Sequence, residues 1–152
     1  MVHIRAARKD EVKDLQDLDG KMFIDSKKYD NDFDTNWAQT KGKTYFTNLL
    51  KNPEAYCLIA EEDGVKVGYI AAVPKSISYR KSKYIEIENI GVILEYRSKG
   101  IGTLLIEECL KWAKSKGFQK AYVNAYFHDI KAIKFYKRNG FSEIDICLEK
   151  FL

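Results

Sequence analysis

Residues 84–102 read YIEIENIGVILEYRSKGIG and combine a strand pattern, a glycine turn and the start of an apolar helix. Gly100 and Gly102 let the backbone approach an anion without interference from a Cβ atom. The first turn of the following helix offers unpaired N–H groups and the positive end of the helix dipole. Arg97 and Lys99 add positive charge beside these donors. The stretch therefore predicts a phosphate-binding turn between a strand and a helix.

The residues after the glycines exclude two other phosphate-binding loops. A nucleotide P-loop requires Gly-Lys-Ser/Thr, whereas Gly102 is followed by Thr103 and Leu104. A dinucleotide-binding fingerprint requires a third glycine three residues further on, where this chain has Leu105. The turn therefore belongs to another kind of phosphate site.

A second motif lies in the last third of the chain, where residues 129–141 read DIKAIKFYKRNGF. In this order, the two motifs resemble the R/Q-x-x-G-x-G/A and N-x-x-A-x-x-F-Y-x-x-x-G-F signatures of the GNAT superfamily of N-acetyltransferases. The resemblance implies an α/β fold with a mixed, mostly antiparallel central sheet flanked by helices. It also implies acetyl-CoA as the co-substrate. Asp129 stands where the family usually has Asn, and either residue can cap the helix.

The resemblance assigns the residues that hold acetyl-CoA. The turn and the helix start bind the pyrophosphate, and main-chain groups of the preceding strand pair with pantetheine and polarise the acetyl carbonyl. The expected cofactor-binding residues are Ile90, Val92, Arg97, Ser98, Lys99, Gly100, Ile101, Gly102, Thr103, Asp129 and Tyr136.

The implied reaction is acetyl transfer to a primary amine by direct attack within a ternary complex. A typical alkylamine, with a pKa near 10.4, costs about 4 to 5 kcal/mol to deprotonate at pH 7, so a general base is useful. Strand alternation puts Glu86 and Glu88 on one face, and Ile85 and Ile87 on the other. Glu86 falls where histone-acetylating members carry their base, with Glu88 as an acceptor-binding group or alternate base. Tyr136 matches the family tyrosine that protonates the CoA sulfur.

Plainer interpretations of the same residues stay open. Glu86 and Glu88 can be the solvated face of a half-exposed strand, and Phe135 and Tyr136 can be core aromatics of a short helix. A non-catalytic acyl-CoA-binding module is the alternative function, although the presence of both Tyr136 and Glu86 argues against it. Members that acetylate the N-termini of ribosomal proteins usually carry a glutamate base at a position occupied here by Asn124.

The acceptor is the least defined part of the predicted reaction. A cationic acceptor, such as a polyamine, an aminoglycoside or a peptide or protein amine, could be attracted by aspartates of the polar segment 25–34. Aspartates in such a segment more often form turns and stay solvated. The four residues are Asp25, Asp30, Asp32 and Asp34.

Composition agrees with one enzyme domain over residues 1–152. The 152 residues are 45% hydrophobic, which is enough to bury one sizeable core. The net charge of +4 comes from lysines and arginines spread among nearly as many carboxylates, so no nucleic-acid partner is expected. Because no signal-peptide core or long apolar run occurs, we expect a cytoplasmic protein without a membrane partner. Cys57, Cys109 and Cys147 are expected to be reduced core residues, and no metal site is expected.

Periodicity predicts six strands and four helices. The predicted strands are Val2–Ala6, Ala55–Glu61, Lys66–Val73, Tyr84–Ile93, Lys120–Tyr126 and Phe141–Phe151. The predicted helices are Asp10–Leu18, Trp37–Leu50, Ile101–Lys116 and Asp129–Asn139. In the last strand, Ile144, Ile146 and Leu148 are expected in the core. A homodimer, which is a habit of the family, would give these residues a subunit contact instead.

Overall fold

The computed structural model describes residues 1–152, and its centre is a five-stranded sheet in the order β1-β2-β3-β4-β5. Strands β1 to β4 pair as antiparallel neighbours, and β5 runs parallel to β4. The expected α/β fold with a mixed, mostly antiparallel sheet is therefore confirmed. The strands are β1 (Val2–Ala6), β2 (Tyr56–Glu62), β3 (Val65–Lys75), β4 (Tyr84–Val92) and β5 (Lys120–Val123).

Four helices cover the two faces of this sheet. The first two pack on one face and the last two on the other, so the sheet lies between two separate apolar clusters. None of the helices has the length and apolar character needed to cross a lipid bilayer. The helices are α1 (Val12–Met22), α2 (Gly42–Lys51), α3 (Ile101–Ser115) and α4 (Ile130–Arg138).

Alternation along β3 supplies both clusters. Tyr69 and Ala71 are buried in the cluster that contains Phe46 of α2, whereas Ile70 and Ala72 are buried in the cluster under α3. Full burial of a large apolar side chain such as Phe46 or Ile70 contributes about 1.5 to 3 kcal/mol to folding. Because β3 is packed from both sides, it fixes the position of its neighbour β4, on which the site is built.

The β2–β3 hairpin turns at Asp63 and Gly64, whose φ angles are 51° and 78°. Positive φ at both central positions is the geometry of a type I′ turn, which matches the twist of the flanking strands. The turn lies in the gap between the strands predicted at Ala55–Glu61 and Lys66–Val73.

Two elements are shorter than predicted. The helix expected from Trp37 begins only at Gly42, because residues 35–41 form turns in which the Gly42 N–H donates to the Trp37 carbonyl oxygen at 2.8 Å. The strand expected to reach Tyr126 ends at Val123, because β4 no longer runs alongside it beyond that point.

The strand predicted at Phe141–Phe151 is wrong. Residues 142–152 join no sheet, and none of their backbone groups is hydrogen-bonded to another backbone group. A strand pattern becomes a strand only when a partner backbone lies beside it, and the chain places none there.

The apolar side chains of this segment are therefore not core residues. The exposed fractions of Ile144, Ile146 and Leu148 are 53%, 71% and 92%. Cys147 is also exposed, against expectation, whereas Cys57 and Cys109 are buried free thiols as predicted. All residues from Ser142 to Leu152 are exposed.

A buried carboxylate fastens β1 to the start of α1. Glu11, which is 1% exposed, accepts hydrogen bonds from the Arg5 guanidinium at 2.9 and 2.6 Å and from the Arg8 backbone N–H at 2.7 Å. The Arg5 hydrogen bonds are the largest cause that lowers the pKa of Glu11 to about 2. Ionised Glu11 therefore stabilises the fold above the ordinary glutamate pKa, and this contribution is lost as the pH falls through 2.

Glu11→Gln is expected to lower the free energy of unfolding at pH 7 by about 3 kcal/mol, because it leaves Arg5 without its buried carboxylate. The difference from the unmodified chain should shrink as the pH falls from about 4.5 towards about 2. Urea unfolding across this pH range measures both effects. Asp10→Asn, which removes an exposed partner of Arg8, is the control and should change stability by less than about 0.5 kcal/mol. A stability difference for Glu11→Gln that does not depend on pH would contradict the assigned ionisation.

Candidate active site

The sheet opens where β4 and β5 stop pairing. The parallel ladder between these strands ends at the pair Ile87 and Val123. From Glu88 to Val92, β4 is bonded to β3 alone, so the backbone groups along its other edge have no strand partner. An extended ligand can pair with such an edge as a strand would.

A β-bulge in β4 lies at the point of divergence. The register passes from Ile87 opposite Ala72 to Asn89 opposite Ala71, so Glu88 is an extra residue in β4. The bulge shifts the alternation, and Glu88 and Asn89 both reach the α2 face. It also accentuates the local bend and twist that separate β4 from β5.

Tyr45 of α2 holds both residues of the bulge. Its hydroxyl donates to Glu88 Oε1 at 2.8 Å and accepts from Asn89 Nδ2 at 3.4 Å. Gly91, further along β4, is packed against the end of α1. A Cβ atom at Gly91 would lie 2.6 Å from Met22 Cε, so the glycine lets α1 pack closely on β4.

Glu86 lies on the same side of β4 as expected, opposite Val73 of β3, but its carboxylate is engaged. Lys75 Nζ lies 3.4 Å from Glu86 Oε2 and also 4.6 Å from the centre of the Tyr122 ring. The Glu86 side chain is 17% exposed, whereas Glu88 is exposed at the bulge. Glu88 is therefore the freer carboxylate of the two.

The turn after β4 presents a run of free backbone donors. None of the six N–H groups from Ser98 to Thr103 donates to an acceptor within the chain. Ser98 and Gly100 have φ angles of 62° and 81°, and left-handed residues in such a turn form a concave nest of N–H groups. Because α3 begins at Ile101 without a side-chain cap, the positive end of its dipole adds to this nest. The turn has the donors that a pyrophosphate requires.

Arg97 fastens this turn to the rest of the fold. Its Nε donates to the Val92 carbonyl oxygen at 2.8 Å, and its Nη2 donates to the Met22 carbonyl oxygen at 3.0 Å. The guanidinium thus ties the end of β4 to the end of α1. Lys99, by contrast, makes no ion pair, and its ammonium lies 5.0 Å from the centre of the Tyr96 ring.

Gly102 brings the turn against α4. A Cβ atom at this position would lie 3.0 Å from Phe135 Cζ and 3.2 Å from Phe135 Cε1, which is tighter than an ordinary contact. Gly100 differs, because a Cβ there would meet open space, and its φ angle is what requires glycine. Glycine is therefore required at position 102 by close packing and at position 100 by backbone geometry.

Tyr136 lies beside Phe135 on α4, at the edge of the cluster under α3. Its hydroxyl has no hydrogen-bond partner within the chain. Burial is the largest cause that raises the pKa of Tyr136 to about 12, and the negative charge of Asp129 adds to it. Asp129 itself caps α4, because its Oδ1 accepts from the Ala132 N–H at 3.1 Å. Tyr136 is therefore a protonated phenol with a free O–H at neutral pH.

The loop between α1 and α2 reaches the far side of the opening. Asp30 Oδ2 accepts from the hydroxyl of Tyr126, which follows β5, at 3.1 Å. The rings of Tyr29 and Tyr126 are stacked with centroids 6.0 Å apart. Asp30 and Asp34 each accept a hydrogen bond from the backbone N–H two residues further on. Both therefore form turns, as aspartates in such a segment more often do.

Sequence reasoning missed three side chains around the opening: Tyr45, Lys75 and Tyr126. Their partners are 43, 11 and 96 residues away along the chain, so no local spacing links them to the site. The only signal in the sequence that pointed to such partners was the alternation that puts Glu86 and Glu88 on one face. Two carboxylates on one face imply that side chains of a neighbouring element contact them.

Comparisons with known proteins agree with this geometry. The model of the acetyltransferase (GNAT) family matches residues 17–141. An uncharacterized N-acetyltransferase of Methanocaldococcus jannaschii is 33% identical over 144 residues, which are 94% of this chain and 62% of the relative. The chain thus spans less than two thirds of the length of that relative.

Solved structures share the fold. A putative acetyl transferase from Pyrococcus furiosus superposes with a TM-score of 0.81 at 20% identity, and 100% of both chains is covered. An aminoglycoside N-acetyltransferase in complex with CoA superposes with a TM-score of 0.75 at 19% identity, over 100% of this chain and 95% of that one. The chain belongs to the GNAT acetyltransferase family, whose members use acetyl-CoA as co-substrate.

Arg97→Gln is expected to lower the free energy of unfolding by about 2 to 3 kcal/mol, because it removes two hydrogen bonds from a charged donor to β4 and α1. Lys99→Gln is the matched control, and its stability should change by less than about 0.5 kcal/mol. Urea unfolding measures the difference, and calorimetric titration with CoA measures binding. If Arg97→Gln kept full stability and lost only CoA affinity, the guanidinium would belong to the cofactor and not to the fold.

Proposed function

We propose that this protein transfers the acetyl group of acetyl-CoA to a primary amine, by direct attack of the amine on the thioester within a ternary complex. The observation that carries the proposal is the run of free N–H groups from Ser98 to Thr103 beside the open edge of β4. Residues 1–152 would form the whole catalytic domain. No residue cluster suited to a metal ion occurs in the chain, and the proposed reaction needs none.

The cofactor would lie along the opening from the turn to the bulge. Its pyrophosphate would accept hydrogen bonds from the turn and the start of α3, with Lys99 beside it. Its pantetheine arm would pair with the open edge of β4 at Ile90 and Val92. The thioester would then lie near the bulge, close to Glu88 and Glu86.

The acceptor amine would enter from the side of α2. Glu88 is exposed there and fixed by Tyr45, whereas Glu86 is occupied by Lys75. An ammonium group next to Glu86 competes with a cationic acceptor for that carboxylate. We therefore favour Glu88 as the carboxylate that binds and deprotonates the acceptor, with Glu86 as the alternative base that its position in the motif suggests.

The reaction balances with these groups. A carboxylate takes one proton from the acceptor ammonium, and the neutral nitrogen attacks the thioester carbonyl carbon while the carbonyl electron pair moves to oxygen. Collapse of this intermediate restores the C=O bond, breaks the C–S bond and releases the CoA thiolate. Tyr136 donates its proton to the sulfur, and the phenolate regains a proton from the nitrogen as the amide forms. The products are the N-acetyl amine, CoA thiol and one proton released to solvent.

The raised pKa of Tyr136 limits how it can donate a proton to the CoA sulfur. Full transfer of a proton from a phenol of pKa about 12 to a thiolate whose conjugate acid has a pKa near 8.5 is about 5 kcal/mol uphill. Tyr136 must therefore donate a hydrogen bond to the developing thiolate and pass its proton only as the nitrogen supplies another. A half-buried phenol without another partner is suited to this, because its O–H is free for the sulfur.

We propose a cationic acceptor, because carboxylates border the opening on the α2 side. Polyamines, aminoglycosides and peptide or protein amines are the classes to test, and an aminoglycoside N-acetyltransferase shares the fold. The reaction would take place in the cytoplasm, which keeps thiols such as Cys57 and Cys109 reduced. The working form would be a homodimer.

The experiment that tests the function measures CoA thiol release from acetyl-CoA in the presence of each acceptor class. Release that depends on an amine establishes the activity and names the class. Tight acetyl-CoA binding without release for any amine would favour the non-catalytic acyl-CoA-binding module instead.

Tyr136→Phe is expected to lower kcat at saturating acetyl-CoA by about 100-fold, because it removes the proton donor while keeping the ring in place. Tyr79→Phe, which changes an exposed tyrosine, is the control and should leave kcat unchanged. In the unmodified enzyme, the rate should show no loss from this phenol up to about pH 10, because its pKa is about 12. An unchanged kcat for Tyr136→Phe would remove Tyr136 from the mechanism.

Glu88→Gln is expected to lower kcat/KM for the acceptor by about 100-fold, because the amide cannot take the proton from the ammonium. Glu86→Gln is the matched variant and should change kcat/KM by less than about threefold, because Lys75 already engages this carboxylate. Steady-state kinetics with the best acceptor compares the two. The opposite order of effects would assign the base to Glu86.

A further inference from the structure

A cavity of about 300 Å³ lies at the opposite end of β4 from the 98–103 turn. It is formed by the 76–83 segment, which joins β3 to β4, together with the adjoining ends of these strands and Phe118. Because a strand rises about 3.3 Å per residue, the start of β4 at Tyr84 lies roughly 26 Å from its end at Val92. The cavity is therefore separate from the turn that would hold the pyrophosphate of acetyl-CoA.

Positive charge dominates the lining of this cavity. Its charged residues are Lys75, Arg80 and Lys83, and no carboxylate lines it. Lys75 Nζ lies 3.4 Å from Glu86 Oε2, whereas Arg80 and Lys83 make no ion pair. Asp145 lines an adjoining cavity instead. Two cations of the lining are therefore without an anionic partner.

Tyr84 adds a buried donor that has no acceptor. The residue is 3% exposed, and its hydroxyl is the one buried side-chain polar atom of the protein without a hydrogen-bond partner. The central carbon of the Arg80 guanidinium lies 5.1 Å from the centre of the Tyr84 ring, so the unpaired cation lies next to the unpaired phenol. An unpaired buried hydroxyl costs free energy, and a ligand that accepts its hydrogen bond would remove that cost.

Other donors along the lining are also free. The hydroxyls of Ser76 and Ser82 donate to no acceptor within the chain, and neither do the backbone N–H groups of Ser76, Ile77 and Ser82. Hydroxyl and N–H groups placed among cations are the donors that phosphate oxygens require. Ile77 and Phe118 supply an apolar part of the same lining. The cavity therefore offers donors for an anion and an apolar surface beside them.

We propose that this cavity binds a small phosphate monoester. Its phosphate would accept hydrogen bonds from Arg80, Tyr84 and the two serines. Its organic part would lie against Ile77 and Phe118. A phosphate monoester carries about −1.5 to −2 charges at pH 7, which matches the two unpaired cations. The same cations repel the cationic acceptor of the proposed reaction, so this is a second site, and it does not depend on acetyl transfer.

The first test is a titration with inorganic phosphate and with phenyl phosphate, monitored by the amide cross-peaks in two-dimensional NMR spectra. Sodium chloride keeps the ionic strength constant. The cross-peaks of Ser76, Ile77 and Ser82 are expected to shift along a saturable curve for one site. Phenyl phosphate should bind at least about threefold more tightly than inorganic phosphate, because its ring is removed from water.

The same spectra identify the outcomes that would overturn the proposal. Shifts that rise linearly without saturation, or that occur only at residues 98–103, would exclude a phosphate site in the cavity. Equal affinities for the two probes would assign the site to inorganic phosphate and overturn the monoester. Because residues 98–103 are followed separately, failure of this site and failure of the proposed cofactor turn are distinguishable.

A pair of variants tests whether the binding is local. Arg80→Gln is expected to raise the Kd for phenyl phosphate about tenfold, because it removes the unpaired guanidinium from the lining. Lys81→Gln is the matched control: it removes one positive charge from the same segment but lies outside the lining, and it should change the Kd by less than about twofold. Equal effects of the two variants would mean general attraction between charges and would overturn the proposal.

Tyr84→Phe distinguishes a hydroxyl that binds a ligand from one that supports the fold. Because the hydroxyl has no partner in the free protein, its removal is expected to leave the midpoint of urea unfolding unchanged or higher. The Kd for phenyl phosphate should rise about three- to tenfold, because one hydrogen bond to the phosphate is lost. An unchanged Kd with a lower midpoint would place the hydroxyl in the fold and overturn its assignment to the ligand.

Discussion

The site depends on one interruption of the hydrogen-bond ladder between β4 and β5. Buried backbone N–H and C=O groups need partners, so a strand in the middle of a sheet is normally bonded on both edges. Beyond Ile87 and Val123, the backbone groups of β4 that face β5 have no strand partner, whereas its other edge stays bonded to β3. The bulge at Glu88, the Arg97 hydrogen bonds and the packing of β3 hold β4 in place there, so the opening is a fixed feature of the fold.

Charge is distributed along this opening in the order that the proposed reaction requires. Free N–H groups, a helix dipole and Lys99 lie at the turn, where an anionic cofactor would bind. Carboxylates lie at the bulge, where a cationic acceptor would bind. On α4, the raised pKa of Tyr136 keeps its phenol neutral. Because the two charged partners differ in sign, each end of the opening attracts one of them and disfavours the other.

The packed sheet and the exposed 142–152 segment differ in how firmly they are held. The central strands are packed from both faces, and Glu11 with Arg5 secures β1 to α1. The residues that would do chemistry extend from these fixed elements, which keeps their positions defined. The 142–152 segment, by contrast, is exposed along its whole length and forms no backbone hydrogen bond.

The sequence by itself determined the elements whose signals are local. The glycine turn, the helix start, the Asp63–Gly64 hairpin and the shared face of Glu86 and Glu88 all follow from patterns within a few residues. The family motifs then supplied the sheet type and the cofactor. Such features are readable because backbone geometry and side-chain period act over short distances.

Only the tertiary structure decided what each local pattern meets. The sequence predicted a strand at residues 141–151, and the chain provides no partner for it. The sequence assigned Arg97 to the cofactor, and in the fold its guanidinium binds two backbone carbonyl oxygens. Lys75 contacts Glu86, and Tyr45 contacts Glu88, although both partners are distant in sequence from their glutamates. These outcomes depend on which residues distant in the chain come together, and no local period carries that information.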